Sequence, residues 1–147
     1  EVSLGLDGQL GITLKEKDPV FRVLNGNYYI DSKGNKMPIS NIFSKRVPLL
    51  LNNVDPTNFN DLSLLGNYVK KNVFLSKHIS AVELVENDLF FYVKGFPYSI
   101  KIKGFDDYKL KFKNYEFFFR SVYNEGLLDS IKSINLNFKN QIILQKK

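Results

Sequence analysis

Residues 98–122, YSIKIKGFDDYKLKFKNYEFFFRSV, contain the change of period that decides the fold class. In Tyr98 to Lys103, apolar and polar residues alternate. Tyr98, Ile100 and Ile102 point one way and Ser99, Lys101 and Lys103 the other, as a half-buried antiparallel strand requires. From Tyr108 the spacing lengthens to four and three residues, through Phe112, Tyr115, Phe119 and Val122. That is one buried stripe of a helix, and it reads as core against a sheet; an aromatic platform for stacked bases would sit on a sheet or in a groove. Asp106-Asp107 stands where N-capping and negative charge favour a helix start, and Asn124-Glu125-Gly126 supplies the stop.

The same two periods extend in both directions. Ile79 to Val85 and Leu89 to Lys94 read as strands, with Gly95-Phe96-Pro97 as the bend before Tyr98. Further upstream, the Asn- and Asp-rich stretch Asn52 to Asp61, with Pro56, reads as a loop. Asp61 is then a cap for a second helix with Leu62, Leu65, Val69 and Val73 on one face. Val20 to Leu24 and Tyr28 to Asp31 are strands separated by Asn25-Gly26-Asn27, and after Ser32-Lys33-Gly34-Asn35 the strand pattern continues to about Ser40. At the start, Glu1 to Leu6 and Gln9 to Glu16 form a hairpin around Asp7-Gly8. At the end, Ser133 to Phe138 alternates, with Ile134, Leu136 and Phe138 on one face, and Lys139-Asn140 leads to a last strand, Gln141 to Gln145. No internal repeat is found. The expected fold is α+β: a mostly antiparallel sheet with two packed helices.

Composition bounds the function. The 147 residues are 44% hydrophobic and 14% aromatic, which is a folded chain and not a disordered one. There is no cysteine, hence no disulfide, thiolate metal site or cysteine nucleophile. No apolar run approaches the ~20 residues that span a bilayer, and residues 1–10 lack the features of a signal peptide. The chain starts without Met inside a strand, so a segment upstream is expected in the natural protein. The net charge of +6 raises nucleic acid or an anionic surface as partner, but the lysines of Tyr98 to Lys103 and Lys109 to Lys113 alternate with apolar residues, as on a solvated face.

Catalytic signals are absent from the pattern. His78 is the sole histidine, which excludes a multi-histidine metal site, and no nucleophile or second ligand stands at a recognisable spacing from it. Asp31, Asp55, Asp61, Glu83, Glu86 and Asp106-Asp107 give no reason to choose an acid–base pair. The glycines form neither a phosphate loop nor a dinucleotide fingerprint. The expectation is a binding protein with no catalytic residue, no metal and no cofactor.

Three segments carry a further pattern: Lys15-Glu16-Lys17-Asp18-Pro19-Val20, then Tyr29-Ile30-Asp31-Ser32-Lys33-Gly34-Asn35, then Val47-Pro48-Leu49-Leu50. In order and spacing they resemble the FtsQ/DivIB family, with its Glu-x-x-Pro-Val start, Val-Asp-x-x-Gly turn and Leu-Pro-x-Leu segment. The helix around Phe112 and Tyr115 and the closing pair of strands are similar to the family's end. Leu24 stands where the family often has an aromatic residue, Asn52 or Asn53 where a Gly often follows, and Val47 replaces the Leu of Leu-Pro.

The resemblance implies residues 1–17 as the terminal hairpin of an incomplete POTRA domain and residues 18–147 as the β-domain. It also implies a single-pass protein of the bacterial cytoplasmic (inner) membrane, anchored by an N-terminal helix absent from this chain, with this part on the periplasmic side. The implied role is a non-catalytic divisome scaffold that binds FtsB-like and FtsL-like proteins. The physical mechanism would be strand addition to the last strand, whose segment Gln141-Ile142-Ile143-Leu144 carries neither charge nor Pro. The expected partner-binding residues are Phe138, Gln141, Ile142, Ile143, Leu144 and Gln145. Phe138 stands where the family commonly has a Tyr and Asn137 where it commonly has an Arg, so no salt bridge is expected there. The alternative is a basic module for nucleic acid or an anionic surface, whose binding would fall steeply with salt.

Overall fold

The computed structural model describes residues 18–39, 46–139 and 141–147, together with the backbone of 2–4 and 10–12. Strands β1 (Val2–Leu4) and β2 (Leu10–Ile12) pair antiparallel as a separate ribbon. Leu4 lies opposite Leu10, whereas a two-residue Asp7-Gly8 loop would set Leu4 opposite Gly11. The turn itself is outside the described residues.

Nine strands make the main sheet: β3 (Pro19–Val23), β4 (Tyr28–Asp31), β5 (Lys36–Pro38), β6 (Leu49–Leu50), β7 (Ile79–Val85), β8 (Asp88–Val93), β9 (Ser99–Lys103), β10 (Ile131–Asn135) and β11 (Ile143–Lys146). Their order is β11-β10-β9-β8-β7-β6-β3-β4-β5. Helices α1 (Phe59–Lys71) and α2 (Val73–His78) lie between β6 and β7, and α3 (Tyr108–Val122) lies between β9 and β10. At those two places the joined strands are parallel, because a helix-length crossover returns the chain to the same end of the sheet. β3 and β6 are the other parallel pair, and the remaining ladders are antiparallel. The expected mostly antiparallel α+β sheet is therefore present, with two helical crossovers that the spacing of the strands did not announce.

Register explains the core. One cross-sheet row runs Tyr28, Val23, Leu50, Val82, Phe91, Ile100, Ile134, Leu144, and its members from Val23 to Ile134 are fully buried. The adjacent row runs Tyr29, Arg22, Leu49, Ala81, Tyr92, Ser99, Ser133, Gln145 and lies on the opposite face. α1 and α3 cover the first face. Leu62, Leu65 and Val69 of α1 and Phe112 and Tyr115 of α3 are buried, and Phe112 meets Phe91 edge-on at 4.9 Å between ring centroids. The β4–β5 turn is anchored by buried Asp31, whose Oδ1 accepts the N–H groups of Lys33 and Asn35, both at 2.9 Å. Gly34 supplies the positive φ that the turn needs.

Several local expectations are corrected. α1 begins at Phe59, so Asp61 sits within its first turn; Asp55 instead caps the preceding 3₁₀ turn through the Thr57 N–H. α1 stops at Asn72, whose backbone is extended and whose side chain accepts the Leu75 N–H to start α2. Val73 thus leaves the face of Leu62, Leu65 and Val69 and is 73% exposed. Asp107 does hold the N-cap position of α3, but in a left-handed conformation and with no side-chain capping bond. In the stripe, Tyr108, Phe119 and Val122 are only partly buried.

Candidate functional site

The final strand starts later than its sequence suggests. β11 spans Ile143–Lys146 and includes a lysine, while Gln141 and Ile142 precede it. It pairs antiparallel with β10, Asn135 opposite Ile143 and Ser133 opposite Gln145, and ends the strand order of the sheet. Its backbone groups can be assigned to sides. Leu136 N–H donates to Lys101 C=O, so Leu136 and Ile134 address β9 and the alternate residues Ser133 and Asn135 address β11. Ile143 and Gln145 therefore face inward, as does Lys147, whose N–H donates to Ser130 C=O. Leu144 and Lys146 turn their N–H and C=O groups away from β10. Among the described residues no strand lies beyond them.

Side chains alternate independently of this. Leu144 lies opposite buried Ile134 and, like Ile142, packs partly on the core; Ile143 is 44% exposed on the other face. Gln145 is exposed and its Oε1 accepts from Ser133 Oγ at 3.1 Å. Phe138 is half-exposed on the connection between β10 and β11, past the strand end, so it does not continue the buried alternation of Ile134 and Leu136. Asn137 serves the fold: its Oδ1 accepts the Lys103 N–H at 2.5 Å, tying the end of β10 to β9.

Beside β11 the structure adds an element that the spacing of the buried stripe hid. A depression of about 350 Å³ lies between α3 and the β10–β11 connection, with Leu110, Lys111, Asn114, Phe138, Lys139 and Ile142 in its walls. A second, of about 470 Å³, continues along α3 past Phe117, Phe118 and Ser121 and shares Asn114, Gln141 and Ile142 with the first. Leu110, Asn114, Phe117 and Ser121 recur at steps of four and three, so a second helical stripe was present in the sequence beside the buried one. Phe117 is 78% exposed, an unusual position for a phenylalanine. The six expected binding residues lie on or next to one feature, the last strand of the sheet among the described residues, flanked by a groove of mixed polar and apolar lining.

The residues weighed for chemistry are dispersed. Glu83 accepts from Tyr92 Oη at 3.0 Å, Asp88 pairs with Lys101, and the backbone bond from Thr57 holds the Asp55 carboxyl below its usual range. His78 is buried beneath Phe74 and Phe119 and bonds to Tyr115. Among the described residues no group of three His, Cys, Asp or Glu side chains is placed to hold a metal ion. No helix among them is long and apolar enough to cross a membrane.

Comparison with known proteins agrees with the motifs around Pro19, Asp31-Ser32-Lys33-Gly34 and Val47-Pro48. None of the curated proteins matches the chain. A protein family described as FtsQ/DivIB, C-terminal related, matches residues 18–144, a span that takes in all three α-helices and the sheet from β3 into β11. That family implies a role in cell division, and the chain belongs to the FtsQ/DivIB family.

Proposed function

We propose that the chain is a non-catalytic scaffold of the divisome that binds a strand of an FtsB-like or FtsL-like protein along β11. The observation that carries this reading is the outward set of N–H and C=O groups at Leu144 and Lys146, next to a groove in which Leu110, Phe117, Phe118, Phe138 and Ile142 stand among polar residues. A free edge is a template for pairing, and natural edges are usually blunted by charge, Pro or a covering element. The opposite edge, β5, follows that rule with Lys36 and Pro38 in a strand of three residues. β11 carries only Lys146, at its end. Main-chain bonds to β11 would supply affinity and the groove would select apolar side chains. On the same reading residues 1–17 are the last hairpin of a POTRA domain, residues 18–147 are the β-domain, and the protein is held at the cytoplasmic membrane with this part outside.

The test is titration calorimetry of the chain against the extracytoplasmic segments of the organism's FtsB-like and FtsL-like proteins. Saturable binding that changes little between low and moderate salt supports strand addition. Binding that collapses with salt, or that a polyanion displaces, is the behaviour of a basic surface instead.

A further inference from the structure

Away from the groove, the interior holds a polar chain that this function leaves unused. His78 Nε2 lies 2.5 Å from Tyr115 Oη, and Tyr115 Oη lies 2.5 Å from Tyr98 Oη. The three come from the end of α2, the middle of α3 and the residue before β9, and each is buried. Around them stand Phe74, stacked on the His78 ring at 4.5 Å, Phe119, edge-on at 4.7 Å, and Phe96 at 6.4 Å.

Proton counting selects the neutral ring. In the neutral tautomer with the proton on Nδ1, Nε2 accepts from Tyr115 and Tyr115 accepts from Tyr98, so both bonds of the chain are made and the single ring N–H lies outside it. The charged ring carries N–H at both nitrogens, so Nε2 can only donate: Tyr115 must turn its proton towards Tyr98, whose own O–H then needs another acceptor, and Nδ1–H remains a donor as well. The added charge also finds no free counter-charge. On its own helix the neighbour is cationic Lys77. From α3 come Glu116 and Arg120, which pair with each other at 3.0 Å, the guanidinium lying over Phe74. The β8–β9 connection brings Phe96 and Lys94, the latter through a backbone N–H bonded to His78 C=O, and β9 brings Tyr98.

We propose that His78, Tyr115 and Tyr98 form an acid-sensitive latch that holds α3 on the sheet and, through α3, sets the shape of the groove beside β11. α3 carries both functions on different sides: Tyr115 and Phe112 face inward, whereas Leu110, Asn114 and Phe117 wall the groove. Only the consequence for partner binding rests on the proposed function; the latch itself does not. Burial lowers the His78 pKa from 6.5 to about 4. A neutral buried imidazole adds stability above the unfolded pKa of about 6.5, and that contribution is lost as pH falls from there towards the folded value.

Hydrogen exchange of the whole chain at pH 7 and pH 5 tests this. Once intrinsic rates are divided out, amides of α3 should open on the order of tenfold more often at pH 5, while those of β3 and β4 stay unchanged. In His78→Phe, which keeps a ring and leaves the Tyr115–Tyr98 bond, the pH dependence of α3 should vanish. Exchange of α3 that ignores pH, equal loosening of β3 and β4, or an unchanged pH dependence in His78→Phe would each overturn the latch. If that variant fails to fold, the Cε1–H resonance of His78 still decides, since the chain has one histidine. A midpoint well below 6 supports the latch, and one near 6.5 removes it. Neither measurement uses a partner, so the latch and the partner reading fail separately.

Discussion

The side-chain amide of Asn52 completes the backbone pairing of Leu84: its Nδ2 donates to Leu84 C=O at 2.6 Å and its Oδ1 accepts Leu84 N–H at 3.1 Å. β6 ends at Leu50, and the next rung of the β6–β7 ladder is Leu51 N–H to Val82 C=O. Asn52 then stands in for a peptide group, so the ladder continues after the chain has turned away. This gives a physical reason for an asparagine at this position. Asn52→Ala would leave both polar groups of Leu84 without these partners, at a cost of about 1–3 kcal/mol. Asn52→Asp should cost at least as much, because an oxygen would face the Leu84 carbonyl. Urea unfolding measures both, and an unchanged midpoint for Asn52→Ala would show that water replaces the amide freely.

Gly66 sets opposing effects against each other. Alanine in a helix interior is favoured over glycine by about 1 kcal/mol. A Cβ at Gly66, however, would fall 2.8 Å from Val20 Cβ and 2.9 Å from a ring carbon of Phe21, both in buried β3. Overpacking of that kind costs about 1–3 kcal/mol, so Gly66→Ala should destabilise on balance. A rise in melting temperature would mean that α1 can slide away from β3 at little cost.

The two stripes of α3 should separate in experiment. Phe112 is 1% exposed and Phe112→Ala should cost about 3–5 kcal/mol in unfolding free energy. Phe117 is 78% exposed, and Phe117→Ala should stay within about 0.5 kcal/mol of the parent in stability. In binding the order should reverse, with Phe117→Ala losing affinity while its fold is intact. If Phe117→Ala binds partner as well as the parent, the groove along α3 takes no part.

How much of this was legible can be judged from the same residues. Tyr98, Ile100 and Ile102 on a strand, Phe112 and Tyr115 on a helix, and the Asp31 and Gly34 turn were readable because each is a local pattern whose period or turn chemistry has one solution. Val73 was misplaced because its spacing from Val69 is helical, and only the capping bond of Asn72 reveals a break. Asp107 was placed correctly at the start of α3, but its expected capping bond is not made, because residue type alone does not disclose a left-handed backbone. The groove stripe of Leu110, Asn114 and Phe117 was overlooked for a different reason. That stripe alternates apolar Leu110 and Phe117 with polar Asn114 and Ser121, so its period is helical but its composition reads as solvated surface, and only the packing of Phe112 and Tyr115 on Phe91, Tyr98 and Tyr68 shows which side turns inward.

β11 offers the sharpest test of the proposed function, because its alternation predicts opposite outcomes at neighbouring residues. Proline removes one N–H and fits the φ of a strand, so its effect depends on where that N–H points. At Ile143 and Gln145 the N–H faces β10, opposite Asn135 and Ser133. Ile143→Pro and Gln145→Pro should therefore break the ladder and lower stability by about 1 kcal/mol or more. At Leu144 and Lys146 the N–H faces away, so Leu144→Pro and Lys146→Pro should keep the fold while reducing partner affinity by on the order of tenfold or more. Lys146→Pro is the cleaner variant, since its side chain is exposed; Leu144→Ala controls for the packing that Leu144 contributes opposite Ile134. Gln145→Ala should change little, because pairing through the main chain tolerates the side chain. Removing residues 141–147 should abolish binding at a partial cost in stability, leaving β10 as the new edge, still paired with β9. Melting curves and calorimetry on the same samples supply both readouts. Undiminished binding by folded Leu144→Pro, or by the shortened chain, would place the interface elsewhere and end the strand-addition reading.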